Sequence, residues 1–297
     1  MGYIVRMKKI VFCLVIFVLQ FFIQSPCHAI KIGLIDSANS VVVGTSTKGK
    51  FIDSKTNRTI YDTVGMKAYE LKAYKSRIGI KIDNKYYDLG SGSVVLRPDD
   101  GFVSTKNRWY RGILMIYNLN GKLVVVNKVD IEDYIRGVVP SEMPSSWSIE
   151  AHKAQAIAAR SYALANLGKR SSRGYDLKDT PEDQAYGGAS AERPRTNKAV
   201  DDTKEVVLVY DLKIIPAYYS ASAGGQTKSS GDVWIQNLPY LKSVPSYDGN
   251  IKKNGHGVGM SQHGANNLAK SGYNSYQILQ YFYQGVKFAK INPDYFK

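Results

Sequence analysis

The chain has 297 residues, 44% of them hydrophobic, which is enough to form a sizeable core in one large domain or two small ones. Its formal net charge is +15 and it has two cysteines, Cys13 and Cys27, both near the N-terminus. Residues 30–297 therefore lack the thiols that a disulfide framework, a thiolate metal site or a cysteine nucleophile would need.

The first 29 residues have the pattern of an export signal. Arg6, Lys8 and Lys9 precede the apolar run IVFCLVIFVLQFFI, and small residues stand at Cys27 and Ala29. This pattern predicts a secretory signal cleaved after Ala29 and a secreted or extracytoplasmic protein at the cell wall. The run at 10–23 is shorter than the roughly 20 residues of a membrane span. An uncleaved membrane anchor formed by 10–23 is the alternative.

The basic charge indicates a class of partner. Removing three basic and no acidic residues with the signal lowers the net charge from +15 to +12. An exported basic protein is expected to meet anionic polymers, such as cell-wall phosphopolymers or lipid headgroups. Nucleic acid is not expected, because the compartment is wrong and no nucleic-acid motif is present. The other interpretation is that the charge only keeps the protein soluble.

The predicted elements change character near residue 130. Residues 30–129 contain short β-like runs separated by turn signals, and Asn120-Gly121 predicts a hairpin. Residues 130–137 predict a short helix, with Asp130 as N-cap, Asp133 at the capping-box position and Gly137 at its end.

The second half predicts helices and long loops. A long helix is expected over 149–167, starting at Ser148 and ending at Gly168. A loop at 168–202, a strand pair within 206–222 and helices near 262–271 and 275–284 follow. The predicted fold class is α+β: a β-rich N-terminal part with short antiparallel strands, followed by a helical, loop-rich half. Residues 30–297 are read as one such unit, with the β-rich subregion at about 30–129.

Glu142 lies between Pro140 and Pro144, in the stretch VPSEMP. Proline restricts its own φ and the residue before it, so we expect a stiff, non-helical loop that holds the carboxylate still. Such a carboxylate could act as a general acid/base with a raised pKa. Alternatively it caps the following helix, whose dipole would lower its pKa.

The other nearby carboxylates are explained more simply by helix capping. These are Asp130, Glu132 and Asp133. Ordinary glycoside hydrolysis uses two carboxylates, roughly 5 to 9 Å apart. If Glu142 cleaves a sugar chain without a second carboxylate, another nucleophile is needed.

Several polar residues outside that loop are candidate substrate contacts. Gln155 and Arg160 lie inside an alanine-rich helix, where structural pairing of Arg160, with Glu142 as one candidate partner, and substrate contact both remain open. Tyr219 and Ser222 precede a glycine pair and suit either a sugar cleft or an ordinary strand end. Ser222 has no evident His/Asp partners and does not lie in a G-x-S-x-G elbow.

His256 is flanked by glycines in GHGVGMSQHG, which would let the backbone approach a ligand closely. The glycines do not form the dinucleotide-binding fingerprint, because no suitable strand precedes them. His256 and His263 are two of only four histidines, with no cysteine to assist, so we predict no metal and no cofactor.

Taken together, these segments resemble the SpoIID/LytB family of sporulation and cell-wall proteins. The resemblance covers roughly 108–286, in family order. Its stretches are YRGILMIYNLNGKLVVVNKVDIEDYIRGVVPSEMP, WSIEAHKAQAIAARSYAL, YYSASAGGQT, DVWIQNLPYLKSV and GHGVGMSQHGANNLAKSG. Each motif alone is moderately specific, whereas five in order are highly specific.

The resemblance implies a peptidoglycan lytic transglycosylase in which Glu142 is the only acid/base. The substrate's C6 hydroxyl would be the nucleophile and would leave a 1,6-anhydro end on N-acetylmuramic acid. The implied substrate is glycan already stripped of peptide by an amidase partner. The same matching assigns Arg160, Tyr219, Ser222 and His256 to the cleft, and Gln155 is assigned with them to substrate binding.

The chain also departs from the family pattern. Some members carry zinc-binding cysteines after the long helix, where this chain has Lys178 and Asp183. Alanine stands at 223 and histidine at 263, where serine and an aromatic residue are usual. Only PSYDGNIKKN separates the PYLKSV and GHGVGMSQ segments, which predicts a missing lobe or cleft wall. The alternative function is therefore a non-catalytic wall-binding or amidase-enhancing protein, and a hydrolase that uses Glu142 and water is a third.

Overall fold

The computed structural model describes residues 29–291. The predicted export segment lies outside these residues except for Ala29, whose backbone pairs with Asp130 at the start of the first strand. Within residues 29–291, no helix is both long enough and apolar enough to cross a bilayer.

Most of the strands lie in the first half of the chain. They are β1 (Ala29–Ala38), β2 (Ser40–Thr45), β3 (Gly49–Asp53), β4 (Thr59–Thr63), β5 (Ala68–Tyr74), β6 (Arg77–Ile82), β7 (Lys85–Asp88), β8 (Ser93–Pro98), β9 (Val103–Thr105), β10 (Arg108–Tyr110), β11 (Ile113–Leu119) and β12 (Lys122–Asp130). The helices and six short strands follow: α1 (Ile131–Glu142), α2 (Ile149–Ala165), β13 (Leu177–Lys178), α3 (Pro194–Asp202), β14 (Val206–Tyr210), β15 (Lys213–Ile214), β16 (Tyr219–Ser220), β17 (Met260–Ser261), α4 (Gln262–Lys270), α5 (Ser275–Phe282) and β18 (Lys287–Lys290). The predicted α+β class, with a β-rich N-terminal part, is confirmed.

Two sheets dominate the first half. One has the order β13-β1-β12-β11-β8-β3-β4 and the other the order β10-β9-β2-β5-β6-β7. Alternate residues of their strands point inward, as in β8, where Val94 and Leu96 are buried. Both sheets contribute to one hydrophobic core, which also includes Tyr134 from α1 and Tyr162 from α2. The strand-rich part and the first two helices are therefore packed as one unit.

A second core lies under the C-terminal helices. It joins Ala154 and Ile157 of α2 to Leu208 of β14 and to apolar residues of α4 and α5. Tyr218 and Tyr219 pack against both cores. The segment that carries these two tyrosines consequently lies where the two halves of the core meet.

Local signals identified several elements correctly. Asn120 and Gly121 both have positive φ and join β11 to β12, with Leu119 paired with Lys122. The helices predicted from 149, 262 and 275 are present. Two expectations were wrong: the stretch 168–202 contains α3 in addition to loops, and IIPAYYSAS is not one strand. The N-terminal strands β3, β4, β5, β7, β9 and β10 were not predicted.

Helix α1 also differs from its prediction. Asp130 caps it by accepting the N–H of Glu132, but Asp133 pairs with Arg136 and is not part of a capping box. The helix does not end at Gly137, and it continues past Pro140 to Glu142. It ends because Met143 precedes Pro144 and adopts the extended conformation that proline imposes on its neighbour.

Gly137 is needed for close packing, not for ending the helix. A Cβ there would lie 2.5 Å from Cε2 of Tyr186. We expect Gly137→Ala to lower the free energy of unfolding by about 1–2 kcal/mol, because overpacking outweighs the gain in helix propensity. Gly79→Ala, whose nearest neighbour would be a carbonyl oxygen 3.5 Å away, is the control. Urea unfolding of the two variants measures the difference, and equal midpoints would contradict this account.

Candidate active site

Glu142 lies in a cleft of about 570 Å³, at the C-terminal end of α1. The cleft is lined by Ser141, Glu142, Tyr162, Lys169, Pro181, Glu182, Asp183, Ala185, Tyr218, Tyr219, Ser220, Ala221, Trp234, Asn254, Gly255, His256 and Gln262. Because α1 extends to Glu142, the carboxylate is at a helix C-terminus. The dipole of α1 therefore opposes its negative charge, which reverses the sign expected from the sequence.

Three segments hold the Glu142 carboxylate. Oε1 accepts the backbone N–H of Ala185 at 2.7 Å, and Oε2 accepts the side-chain amide of Gln262 at 3.1 Å. The Tyr219 hydroxyl also acts on it through a hydrogen bond. Gln184 donates to Tyr219 Oη at 2.8 Å, which leaves the hydroxyl proton free to point toward Glu142.

Burial raises the pKa of Glu142 above its usual range, although hydrogen bonds from Ala185, Gln262 and Tyr219 act in the opposite direction. A carboxyl group in this position keeps its proton at a higher pH than a solvated glutamate does. It is consequently suited to donating a proton to a substrate, the role expected of a general acid.

The raised pKa predicts a pH-dependent difference in stability. The folded state holds the Glu142 proton more tightly than the unfolded state, so the wild type loses stability as pH rises through the raised pKa. Glu142→Gln has no charge to bury. We expect its melting temperature, relative to wild type, to increase by a few degrees between pH 4 and pH 7. Calorimetry across this range measures the shift, and a difference that stays constant with pH would contradict it.

Aromatic rings form one wall of the cleft. Tyr218 and Trp234 have ring centroids 4.6 Å apart, and Trp234 and His256 are 5.2 Å apart. Rings with exposed faces stack against the apolar faces of sugar rings, and hydroxyl and amide groups nearby can bind sugar hydroxyls. The lining of this wall therefore fits a carbohydrate.

His256 is neutral in this wall. Burial lowers its pKa, and the charge of Lys253 acts in the same direction. Nδ1 accepts the N–H of Val258 at 3.0 Å, so the ring proton is on Nε2. Its hydrogen bond with the Tyr219 backbone orients the ring beside Trp234.

Two further carboxylates line the cleft, so Glu142 is not alone there as the sequence suggested. Asp183 has a fully buried side chain bonded by Lys169 at 2.7 Å, Arg170 at 2.7 Å and the N–H of Lys178 at 2.9 Å. Burial alone would raise the pKa of Asp183, but these donors outweigh it and lower the pKa. Glu182 is exposed and pairs with Lys178. Asp183 is ionised, but its oxygens are enclosed by cations.

Comparison with known proteins finds one matching family model and several similar proteins. A family model described as SpoIID, stage II sporulation protein, matches residues 119–210. An uncharacterized protein of Brachyspira hyodysenteriae is 34% identical over 201 residues, which cover 66% of this chain and 50% of that protein. The amidase enhancer of Bacillus subtilis is 47% identical over 107 residues, covering 36% of this chain and 14% of that protein.

A third relative is the stage II sporulation protein D of Bacillus subtilis. It is 26% identical over 260 positions, covering 56% of this chain and 76% of that protein. The family model and these relatives support the SpoIID/LytB family, in agreement with the resemblance of the five motifs. The chain spans about half the length of the Brachyspira relative and a small part of the amidase enhancer.

Three of the predicted substrate-binding residues, Arg160, Gln155 and Ser222, lie outside the cleft lining. Arg160 is fully buried and pairs with both oxygens of Glu132, at 2.8 and 2.7 Å, so its partner is not Glu142. Gln155 is buried behind Gln262, whose amide lies 3.5 Å from its oxygen. Neither side chain is exposed to a ligand, and their positions indicate structural support.

Ser222 fixes the short segment that precedes GHGVGMSQ. Its hydroxyl donates to the Lys252 carbonyl at 2.6 Å, and its backbone pairs with Asn254. Asp248 of the same segment accepts the N–H groups of Ala223, Gly224 and Gly225. The segment thus closes on the glycine turn and delivers Asn254, Gly255 and His256 to the cleft. This side of the cleft has a wall despite the short connection.

The two histidines of the glycine-rich motif interact with different residues. His256 bonds to Val258, whereas His263 packs on Trp147 with ring centroids 4.7 Å apart. Among residues 29–291, no three His, Cys, Asp or Glu side chains are grouped as metal ligands. That the protein works without a metal stays a prediction.

Of the groups that hold Glu142, the sequence analysis named Tyr219 but missed Ala185 and Gln262. Ala185 acts through its backbone and is 43 positions away along the chain, while Gln262 is 120 positions away. Gln262 stands in the matched stretch GHGVGMSQHG, which was the only available signal for it. Trp234 of the aromatic wall likewise lies in a matched stretch, DVWIQNLPYLKSV.

Proposed function

We propose that this protein is a peptidoglycan lytic transglycosylase with Glu142 as its acid/base. The observation that carries the proposal is a carboxyl group of raised pKa, held by Ala185, Gln262 and Tyr219 in a cleft with an aromatic wall. The substrate would be the peptide-stripped glycan strand, cleaved between N-acetylmuramic acid and N-acetylglucosamine.

The reaction needs only one side-chain catalyst. Glu142 donates its proton to the glycosidic oxygen as the bond to the muramic anomeric carbon breaks. The resulting carboxylate then takes the proton of the muramic C6 hydroxyl, whose oxygen bonds to the same anomeric carbon. The product carries a 1,6-anhydro end, Glu142 is protonated again, and no water is consumed.

The environment of Asp183 argues against a two-carboxylate hydrolase. A nucleophile or base must reach the anomeric carbon or a water molecule beside it. The side chain of Asp183 is fully buried, and both oxygens are bonded to cations or N–H groups. Internal attack by the substrate is consistent with a single available carboxyl group.

A non-catalytic role is the second candidate. The 47% identity over 107 residues to a protein named amidase enhancer favours it. In that role the cleft would hold a glycan strand without cutting it, and the protein would increase the activity of an N-acetylmuramoyl-L-alanine amidase.

The setting proposed for either role is the cell wall outside the cytoplasm. The basic charge would favour contact with anionic wall polymers. Two relatives named stage II sporulation protein D support wall remodelling during sporulation as the process.

Mass spectrometry of the products from purified peptide-free glycan strands separates these functions. A transglycosylase releases anhydro ends, a hydrolase releases reducing ends heavier by one water, and a binding protein releases neither. A parallel assay adds an amidase and intact sacculi. Stimulation of the amidase without anhydro products from stripped strands would overturn the proposed activity.

A further inference from the structure

A second cavity adjoins the Glu142 cleft. It has a volume of about 580 Å³ and shares Ser141, Pro181 and Ala185 with the cleft. Lys106, Arg108, Asp179, Thr180, Tyr186, Gly187, Ser190 and Ala191 complete its lining. Since Ser141, Pro181 and Ala185 line both spaces, this cavity borders the cleft beside the Glu142 carboxyl group.

The strand-rich part of the chain forms one wall of this cavity, and it is firmly attached. The N–H of Trp109 donates to Ser190 Oγ at 2.8 Å, and Arg111 forms a bidentate pair with Glu192. Gly188 packs so closely on Trp109 that a Cβ would lie 2.4 Å from its carbonyl oxygen. The hairpin of β9 and β10 therefore holds the backbone of Arg108 beside the loop that binds Glu142.

The charge of Arg108 is not neutralised by a neighbour. Within residues 29–291, Arg108 takes part in no ion pair, whereas Lys106 is paired with Asp179 at 2.6 Å. The cavity therefore has an excess of one positive charge. The hydroxyl of Thr180, which also lines the cavity, has no hydrogen-bond partner among the described residues.

The cleft around Glu142 has no comparable unpaired cation among its lining residues. Its lining lysine, Lys169, is paired with Asp183, and the lining Glu182 is paired with Lys178. A substrate that carries an anionic group is consequently favoured on the Arg108 side. A guanidinium presents two parallel N–H donors, which match a carboxylate better than any uncharged sugar group.

We propose that Arg108 binds a carboxylate carried by a sugar of the same glycan strand, at a subsite beyond the scissile bond. This proposal rests on the proposed function for the identity of the polymer. A muramic acid residue whose peptide has been removed carries a free lactyl carboxylate, whereas the peptide-bearing residue carries an uncharged amide at that position. Arg108 would thus distinguish stripped strands from peptide-bearing ones by charge.

Binding measurements in the Glu142→Gln background test the subsite without turnover. The two probes are peptide-free glycan strands and the same strands with each lactyl carboxylate converted to a methylamide. We expect Glu142→Gln to bind the carboxylate strands at least roughly tenfold more tightly than the amide strands. Adding Arg108→Gln should remove this preference, and Arg108→Lys should retain part of it.

Arg97→Gln is the matched control, because Arg97 is an exposed arginine on β8 outside both cavities. It should leave the preference unchanged. The proposal is wrong if Arg108→Gln weakens the binding of both kinds of strand equally, or weakens the binding of neither. It is also wrong if a polyglycerol phosphate competes through Arg108 while the carboxylate preference is absent. Matching melting temperatures show that the variants are folded.

Product release tests the proposed function separately. A wild type that releases anhydro ends but binds both probes alike would retain the activity and lose the subsite. A wild type that releases nothing but prefers the carboxylate strands through Arg108 would retain the subsite and lose the activity.

Discussion

Glu142→Gln is expected to lower the release of anhydro product from peptide-free glycan by roughly 10³-fold or more, because a general acid/base typically contributes that much. Glutamine has nearly the same shape, so its oxygen can still accept the N–H of Ala185. Its amide protons are not acidic enough to be transferred to the leaving oxygen. The rate of anhydro-end formation, followed by mass spectrometry, measures the effect.

Binding should survive this change. The aromatic wall and Arg108 are not altered, so the affinity for stripped strands should stay within a few fold of wild type. Glu70→Gln, at a half-buried carboxylate on β5 that pairs with Lys81 away from both cavities, controls for the loss of one negative charge. If Glu142→Gln keeps the wild-type rate, Glu142 is not the catalyst and the transglycosylase mechanism fails with it.

The pH dependence of the wild-type rate should also reflect the protonation of Glu142. Glu142 must start protonated, so the rate should fall as pH rises through its raised pKa. Removing a donor to the carboxylate raises that pKa further, and Gln262→Ala should therefore move the alkaline fall to higher pH. A fall that stays at the same pH in this variant would assign it to another group.

Local signals in the sequence identified the parts of the fold that depend on neighbouring residues. The Asn120-Gly121 turn and the long helix α2 follow from conformational preferences within a few residues. Helix α3 was missed because its sequence, PRTNKAVDD, is strongly polar, and its few buried residues, Thr196, Ala199 and Val200, give little periodicity. Its stability comes from packing, which the sequence of α3 alone does not show.

The resemblance pointed to Glu142, Tyr219 and His256, which line one cleft, but it did not point to Ala185 or Gln262. Glu142 was placed in a non-helical loop because two prolines flank it, but Pro140 is accommodated in the last turn of α1 and only Pro144 stops the helix. The groups that set its pKa come from Ala185, Tyr219 and Gln262, which only the folded chain brings together. No local pattern encodes such contacts.

The sequence alone could not identify the ion-pair partner of Arg160. Glu132 and Glu142 are at opposite ends of α1, about 15 Å apart along the helix axis, so one guanidinium cannot serve both. Arg160 is buried and pairs with Glu132, which is itself almost fully buried. Glu142 is therefore not paired with Arg160 and lines the cleft. Both glutamates are present in the sequence, but nothing in the sequence indicates which of them pairs with Arg160.

Arg160→Met is expected to lower the free energy of unfolding by about 3–5 kcal/mol, since it leaves the charge of Glu132 buried without its partner. The change also removes the donor to the carbonyl of Val206, which Arg160 contacts at 2.9 Å. Glu132 in turn accepts the N–H of Glu205 at 3.0 Å, so the pair connects α1 and α2 to the start of β14. Chemical denaturation measures the loss.

The double variant Arg160→Met/Glu132→Leu distinguishes structural support from substrate contact. Replacing both members of a buried ion pair with apolar groups is often neutral, so most of the lost stability should return. The activity per folded molecule should return with it, because neither side chain lines the cleft. A double variant that is stable but as inactive as Glu142→Gln would place Arg160 in the chemistry. Recovery of both properties would leave Glu142 as the group on which cleavage depends.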